Sequence, residues 1–296
     1  MFTRLLKKQH WKKLAKVEYQ KAESFLLANE KYCVSACSRF RQEGKGHVWY
    51  IPKENGEISS LLIHSRRSLF PVFGKKSNIP DVGFLNRFPL DARLPGKTLF
   101  LGRVPIHVIQ GLYEDARLLE SLMENEGYFA SERIDYELMS LEDRPKNKTV
   151  NKAPKGLILR PPKIEDKESL FALQSAYEQE EVLPKKSVFN PAASRLNLQH
   201  ILSTERILVA ELDGRIVGKI NTNAESFNRT QIGGVYVHPD FRRLGIGAAM
   251  SMIFINDLLK YGKAITLFVK KNNIAACKVY RNIGFNFLAD YRISYY

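Results

Sequence analysis

Residues Val235-Tyr-Val-His-Pro-Asp-Phe-Arg-Arg-Leu-Gly-Ile-Gly-Ala-Ala-Met250 bring two arginines and two glycines into one short turn between two apolar stretches. The part before the turn alternates as a strand does, and the part after it begins an apolar pattern of helical period. A glycine turn opening a helix presents a row of backbone N–H groups with the positive end of the helix dipole behind them. Such a turn suits a phosphate or pyrophosphate, with Arg243, Leu244, Gly245, Ile246, Gly247 and Ala248 as the cradle and Arg242 and Arg243 adding charge. The plain alternative is a tight turn with solvated arginines.

Two nucleotide motifs fail on chemistry. A P-loop requires Gly-Lys-Ser/Thr after four spacer residues, which this turn lacks. A dinucleotide fingerprint requires a third small residue where Met250 stands, and an acidic residue closing the next strand, which reads Ile265-Thr-Leu-Phe-Val-Lys270.

A second block follows: Val269-Lys-Lys-Asn-Asn273-Ile-Ala-Ala276-Cys-Lys-Val279-Tyr280-Arg-Asn-Ile-Gly284-Phe285. Together the two blocks resemble the GNAT superfamily of acyl-CoA-dependent N-acetyltransferases. The turn matches that family's R/Q-x-x-G-x-G/A pattern. The second block matches V-x-x-x-N-x-x-A-x-x-L-Y-x-x-x-G-F, with Val279 in place of Leu. The resemblance covers residues 157–296. The Phe171–Pro191 region and the length extend it to two-part bacterial GNAT proteins with an uncharacterised domain ahead of the transferase.

The resemblance implies acetyl-CoA as co-substrate, its pyrophosphate on the turn and its pantetheine arm along the backbone of Val235 and Val237. The Val237 N–H would polarise the thioester carbonyl. Asn273 and Ala276 would lie beside the arm, and Tyr280 would donate a proton to the departing thiolate. Each has a structural alternative: an ordinary strand, a helix N-cap that Asn272 serves equally well, and a packed aromatic ring. Many relatives place a Glu where this chain has Gln231, and glutamine takes no proton. Glu180 and Glu181 are the candidates to bind or deprotonate a cationic amine, with a solvated acidic helix end as their alternative; Glu211 and Glu225 are lesser ones. His238 reads as a turn residue. No His, Cys or carboxylate cluster has ligand spacing, so no metal is expected.

The elements that must position these residues are legible after residue 157. Leu157–Pro162 reads as a strand stopped by prolines, Ile164–Glu181 and Ala192–Leu202 as helices, and Arg206–Asn221 as a hairpin turning at Asp213-Gly214. A strand follows at Gln231–His238, then a helix at Ile246–Tyr261 with Ile246, Ala249, Met250, Ile253, Phe254, Leu258 and Tyr261 as its stripe. Ile265–Lys270 is a strand, Ile274–Asn282 a helix, and two strands close the chain at Phe285–Ala289 and Arg292–Tyr295. The first half reads as a worn version of the same plan: helices over Trp11–Asn29 and Lys31–Arg41, a hairpin at Asn55-Gly56, a strand at Thr98–Gly102, a helix at Ile106–Asn125 and a strand at Ile134–Leu141. Its matching strand-to-helix junction, Gly102-Arg-Val-Pro-Ile-His-Val108, lacks clustered glycines. The fold class is therefore α+β: an N-terminal α+β domain over 1–145, a degenerate GNAT-like unit; a polar linker over 146–156; and a GNAT fold over 157–296, with a mixed, mostly antiparallel central sheet flanked by helices.

Bulk properties bound the rest. The 296 residues suit two domains, and 44% hydrophobic content supports packed cores. The net charge of +15 is spread over both halves, which suits an anionic cofactor. No apolar run spans a bilayer, and the basic N-terminus lacks the apolar core of a secretory signal. Three cysteines, Cys33, Cys37 and Cys277, make no disulfide framework, which points to a reducing cytosol. The reading is an N-acetyltransferase acting on an amine by direct attack. Its rivals are a non-catalytic acyl-CoA sensor and an aminoacyl transferase using charged tRNA; the intact coenzyme turn argues against tRNA or other nucleic acid as partner.

Overall fold

The computed structural model describes residues 11–43, 47–74, 99–101, 104–125, 127–143, 145, 153–185 and 187–296. The basic residues 1–10, the core of the linker at 146–152 and Gly102-Arg103 lie outside that set. Two compact units form, one of Met1–Tyr136 with Ala289–Tyr296 and one of Glu137–Leu288.

In chain order the first half runs β1 (Lys12–Lys13), α1 (Tyr19–Asn29), α2 (Val34–Glu43), β2 (Val48–Pro52), β3 (Ile58–Ser65), β4 (Ser68–Phe73), β5 (Leu99–Leu101), β6 (Val104–Ile106), β7 (Val108–Leu112), α3 (Tyr113–Asn125) and β8 (Glu132–Leu141). The second half runs β9 (Ile158–Arg160), α4 (Lys167–Tyr177), a π-helical turn (Glu178–Val182), α5 (Pro191–Thr204), β10 (Ile207–Leu212), β11 (Arg215–Glu225), β12 (Arg229–Val237), α6 (Ile246–Leu258), β13 (Ala264–Lys270), α7 (Ile274–Ile283) and β14 (Asn286–Tyr295).

The strand order is β1-β2-β3-β4-β7-β14 in the first unit and β9-β10-β11-β12-β13-β8 in the second, with Glu132–Tyr136 of β8 belonging to the first unit and the start of β14 through Leu288 to the second. Each contains a hairpin, a further antiparallel strand, and then one parallel step, β4 to β7 or β12 to β13. Asp213 and Gly214, both at positive φ, turn the β10–β11 hairpin. In the first unit Tyr291–Tyr295 of β14 pair antiparallel with Leu112–Val108 of β7. The end of the chain therefore completes the sheet of the N-terminal unit.

Several sequence expectations change. The end of the chain is one strand, Asn286–Tyr295, whose last five residues, Tyr291–Tyr295, pair with β7. Trp11–Asn29 resolves into β1, a 3₁₀ turn at Lys16–Glu18 and α1. Residues 108–112, assigned to a helix, are β7. Tertiary pairing with β4 and β14 overrides the helical reading there. β4 went unrecognised because Pro71 interrupts its strand signature. The parallel ladder to β7 covers only Ser68 and Leu69, so Pro71 needs no N–H on that side. Ile253 on α6 and Tyr261 in the 3₁₀ turn after it (Leu259–Tyr261) are exposed, while Met252 and Ile255 are buried, so the covered face differs from the expected stripe.

The core of the second unit joins α6 (Ile246, Met250, Ile255, Leu258) to the sheet (Val217, Ile220, Ile232, Ile265, Leu267) and to Cys277, Tyr280 and Ile283 of α7. In the first unit Glu120 is fully buried. It takes hydrogen bonds from Arg133 Nε at 3.1 Å and from Ser294, and Arg292 Nη1 lies 3.4 Å away. Arg292 also grips Asp135 at 2.6 and 3.0 Å. Removing one cation from such a cluster strands buried negative charge. Arg292→Met is therefore expected to lower stability by about 3 kcal/mol in urea unfolding followed through the N-terminal unit, and a change of a few tenths would refute the reading.

Candidate active site

β12 is the axis of the site. It pairs antiparallel with β11, but its parallel ladder to β13 covers only Arg229–Ile232 against Ala264–Leu267. Gly233 and Gly234 follow, and the register to β11 shifts on either side of them. Gly234 sits at φ +56°; a Cβ there would collide with the Asn221 side chain, and one at Gly233 with the Asn223 amide. This bulge carries the rest of β12 away from β13. His238 N donates to Val217 O at 2.8 Å, so the strand's alternation turns the Val235 and Val237 N–H groups to the opposite edge, the one β13 has left.

The basic turn lies at the end of that edge. Arg243 and Gly245 both have positive φ, +66° and +80°. The first intrahelical bond of α6 runs from Ala249 N to Gly245 O at 3.0 Å. The N–H groups of Ile246, Gly247 and Ala248 thus have no carbonyl to reach within the helix. A Cβ on Gly247 would meet nothing closer than Val237 Cγ2 at 3.6 Å, ordinary contact. Packing inside the protein therefore does not demand glycine at 247. Leu244 is half-exposed and Arg243 exposed.

Residues 168–285 match the model of the acetyltransferase (GNAT) family. Residues 168–285 are a GNAT acetyltransferase domain. No curated protein matches the sequence. Solved structures match over nearly the whole chain. A Drosophila protein aligns with TM-score 0.63 at 11% identity, covering 97% of this chain and 99% of its own. A GCN5-related N-acetyltransferase from Sphaerobacter thermophilus gives 0.58 at 15%, covering 97% and 95%. A tandem GNAT protein from the clavulanic acid biosynthesis pathway gives 0.60 at 11%, covering 97% of each chain. At these identities the likeness is one of fold, and it extends the GNAT-like architecture to the N-terminal unit.

The two arginines of the GNAT turn do different work. Arg242 is committed inside the protein: it forms a two-pronged pair with Glu180 at 2.8 and 2.7 Å, donates Nε to Val237 O at 3.0 Å, and lies over the Tyr236 ring. Tyr236 also donates its hydroxyl to Glu180 at 3.0 Å. Arg242, and secondarily Tyr236, hold the Glu180 carboxyl below the usual carboxylate range, so it is a weak proton acceptor. Glu181 pairs with Lys270 at 3.0 Å, Glu211 with Arg160 at 2.7 Å and Glu225 with Lys263 at 2.6 Å. Every carboxylate proposed as a base is thus engaged with a cation. Gln231 is buried in β12, and His238 caps its own turn, accepting from Asp240 N at 3.4 Å.

Tyr280 is buried edge-on against Phe285, their ring centroids 5.8 Å apart. Burial, and after it the neighbouring Tyr177 and Glu181, push its phenol well above the usual range, so it keeps its proton at neutral pH. Asn273 accepts from Ala276 N at 3.1 Å, which settles it as the N-cap of α7 in place of Asn272. Sequence reasoning missed Lys219, Asn221, Tyr177 and Tyr236, which lie around the bulge. The adjacent glycines within a strand pattern were the available signal. Among the described residues no cluster of His, Cys, Asp or Glu is placed to hold a metal, and no helix is long and apolar enough to cross a membrane. Asn273→Ala is expected to cost the ligand-free protein about 1 kcal/mol in urea unfolding; an unchanged midpoint would show that the cap is idle.

Proposed function

We propose that the C-terminal domain transfers an acetyl group from acetyl-CoA to an amine by direct attack, without a covalent acyl-enzyme. The observation that carries this reading is the open edge of β12 ending at the Arg243–Ala248 turn. A strand edge and a helix N-terminus in series fit a molecule that is amide-bearing at one end and doubly phosphorylated at the other. The N–H groups of Ile246, Gly247 and Ala248 would take the pyrophosphate, with Arg243 as the available cation; Arg242 fixes the turn through Glu180. From the turn the pantetheine arm would run back along β12. Val237, next to the turn, would meet the arm, and Val235, nearer the fork, would face the thioester carbonyl. This moves the polarising role expected for Val237 to Val235. Ala276 would leave room beside the arm.

Acetyl-CoA supplies an activated acyl group, and the chain's residues do the rest. The Val235 N–H stabilises negative charge gathering on the carbonyl oxygen. Tyr280, kept protonated by its burial, hands its proton to the leaving thiolate. With Glu180 and Glu181 ion-paired, they shape and charge the acceptor side, and the amine loses its proton to water. A cytoplasmic setting fits three buried free thiols. An acyl-CoA sensor without turnover is the second reading, favoured by Gln231 and the engaged carboxylates.

Two measurements test this. Calorimetric titration with acetyl-CoA is expected to show one site, lost in Gly247→Glu, which places a carboxylate among the phosphate-binding N–H groups; no heat with folded wild type refutes the reading. Tyr280→Phe is expected to lower kcat about a hundredfold on whatever amine an acceptor screen yields, with coenzyme affinity retained. Equal turnover would remove Tyr280 from the mechanism, and binding without transfer to any amine would favour the sensor.

A further inference from the structure

Lys219, on β11, is fully buried, and its head is turned on the bulge. Nζ donates to Gly234 O at 3.0 Å and Asn221 Oδ1 at 3.1 Å, and lies 4.8 Å from the centre of the Tyr177 ring. Two acceptors and one aromatic face account for the three N–H groups of an ammonium. Among the described residues no carboxylate forms an ion pair with it. Tyr177 and Glu178 face it from the end of α4 and the π-helical turn, Asn221 from its own strand, and Gly234 and Tyr236 from β12. Glu178 favours the charged form from a distance, while its carboxylate accepts from Gln174 and Asn197. A buried cation aimed at a backbone carbonyl, with no anion of its own, is costly as mere packing.

The geometry of the peptide gives that cost a use. The Gly234–Val235 bond is trans, so the carbonyl that takes Lys219 and the Val235 N–H point in opposite directions. Positive charge on the carbonyl oxygen draws electron density through the amide and makes the far N–H a stronger donor. We propose that Lys219 is a positioning residue for acyl transfer: it pins the Gly233–Gly234 bulge and, through the Gly234 carbonyl, strengthens the Val235 N–H that faces the thioester. The identity of the ligand rests on the acetyl-CoA reading above; the polarised amide does not. Burial pushes Lys219 down to about 7, so its charge, and the strength of the Val235 donor, fall as pH rises through neutrality.

Gly234-Val235 is the one Gly–Val pair in the sequence. Labelling glycine carbonyls with carbon-13 and valine nitrogens with nitrogen-15 therefore isolates this amide as a single resonance in the full-length, ligand-free protein. Its proton is expected to move upfield between about pH 6 and about pH 8, and to stay at the upfield limit throughout in Lys219→Met. A resonance in wild type that ignores pH overturns the proposal, and that outcome needs no variant to fold. A second arm adds acetyl-CoA labelled with carbon-13 at the carbonyl. Near pH 6 its infrared carbonyl band is expected at lower frequency in wild type than in Lys219→Met, with equal calorimetric affinity. The variant's kcat should fall about tenfold, less than for loss of a donor outright. Identical bands with binding intact overturn the role in polarising the thioester. No binding by wild type overturns the acetyl-CoA reading, whatever the amide does.

Discussion

The parting of β12 from β13 after Ile232 is the constraint on which the C-terminal domain depends. A parallel strand pair held along its whole length would close the edge that Val235 and Val237 present. The bulge prevents this, and only glycine fits at 233 and 234, since Asn221 and Asn223 occupy the space a Cβ would need. Once β12 leaves, its far end delivers the basic turn and the start of α6, while β13 leads to α7 and Tyr280. The open edge, the turn and the Tyr280 phenol thus come from separate elements, β12, the start of α6 and α7. The Arg242–Glu180–Tyr236 cluster then ties the turn to the π-helical segment after α4.

What the sequence made legible followed from local rules. The Asp213-Gly214 hairpin, the glycine turn before α6 and the Asn273 cap are set by residues within a few positions of one another, and each could be read from backbone preferences. What escaped was non-local. Nothing near Ser68–Phe73 outweighs Pro71 as a strand breaker; β4 exists because β3 supplies a full antiparallel ladder on one side. The roles of Glu180 and Lys219 were hidden for the same reason. A glutamate on an acidic helix end looks solvated until Arg242, far along the chain, is brought to it, and a lysine in a strand looks like a surface residue until the bulge folds over its head.

The two units answer one question differently: what satisfies a strand edge that its parallel neighbour has abandoned? A backbone N–H left without partner or water is costly. In the N-terminal unit β4 and β7 pair only at Ser68 and Leu69, then part as β12 and β13 do. There the chain answers for itself. Asp115, the third residue of α3, accepts from Phe73 N at 3.0 Å, and burial pushes its carboxyl up to about 7. The third residue of α7 is Ala276, which has no side chain to offer β12.

This contrast gives physical content to the idea of a degenerate half. Loss of glycines at a phosphate turn would weaken one contact and leave the cleft open. A carboxylate hydrogen-bonded to the strand does more, because any arm seeking that N–H must displace an internal partner and strand a buried acid. The N-terminal unit thus keeps the architecture while filling its own edge, and the C-terminal unit keeps the edge free with alanine at 276 and glycine at 247. A fold that opens by parting two strands is neutral as to what fills the gap. One residue on the following helix separates the two cases: Asp115 closes its gap from within, and Ala276 leaves its own without a side chain.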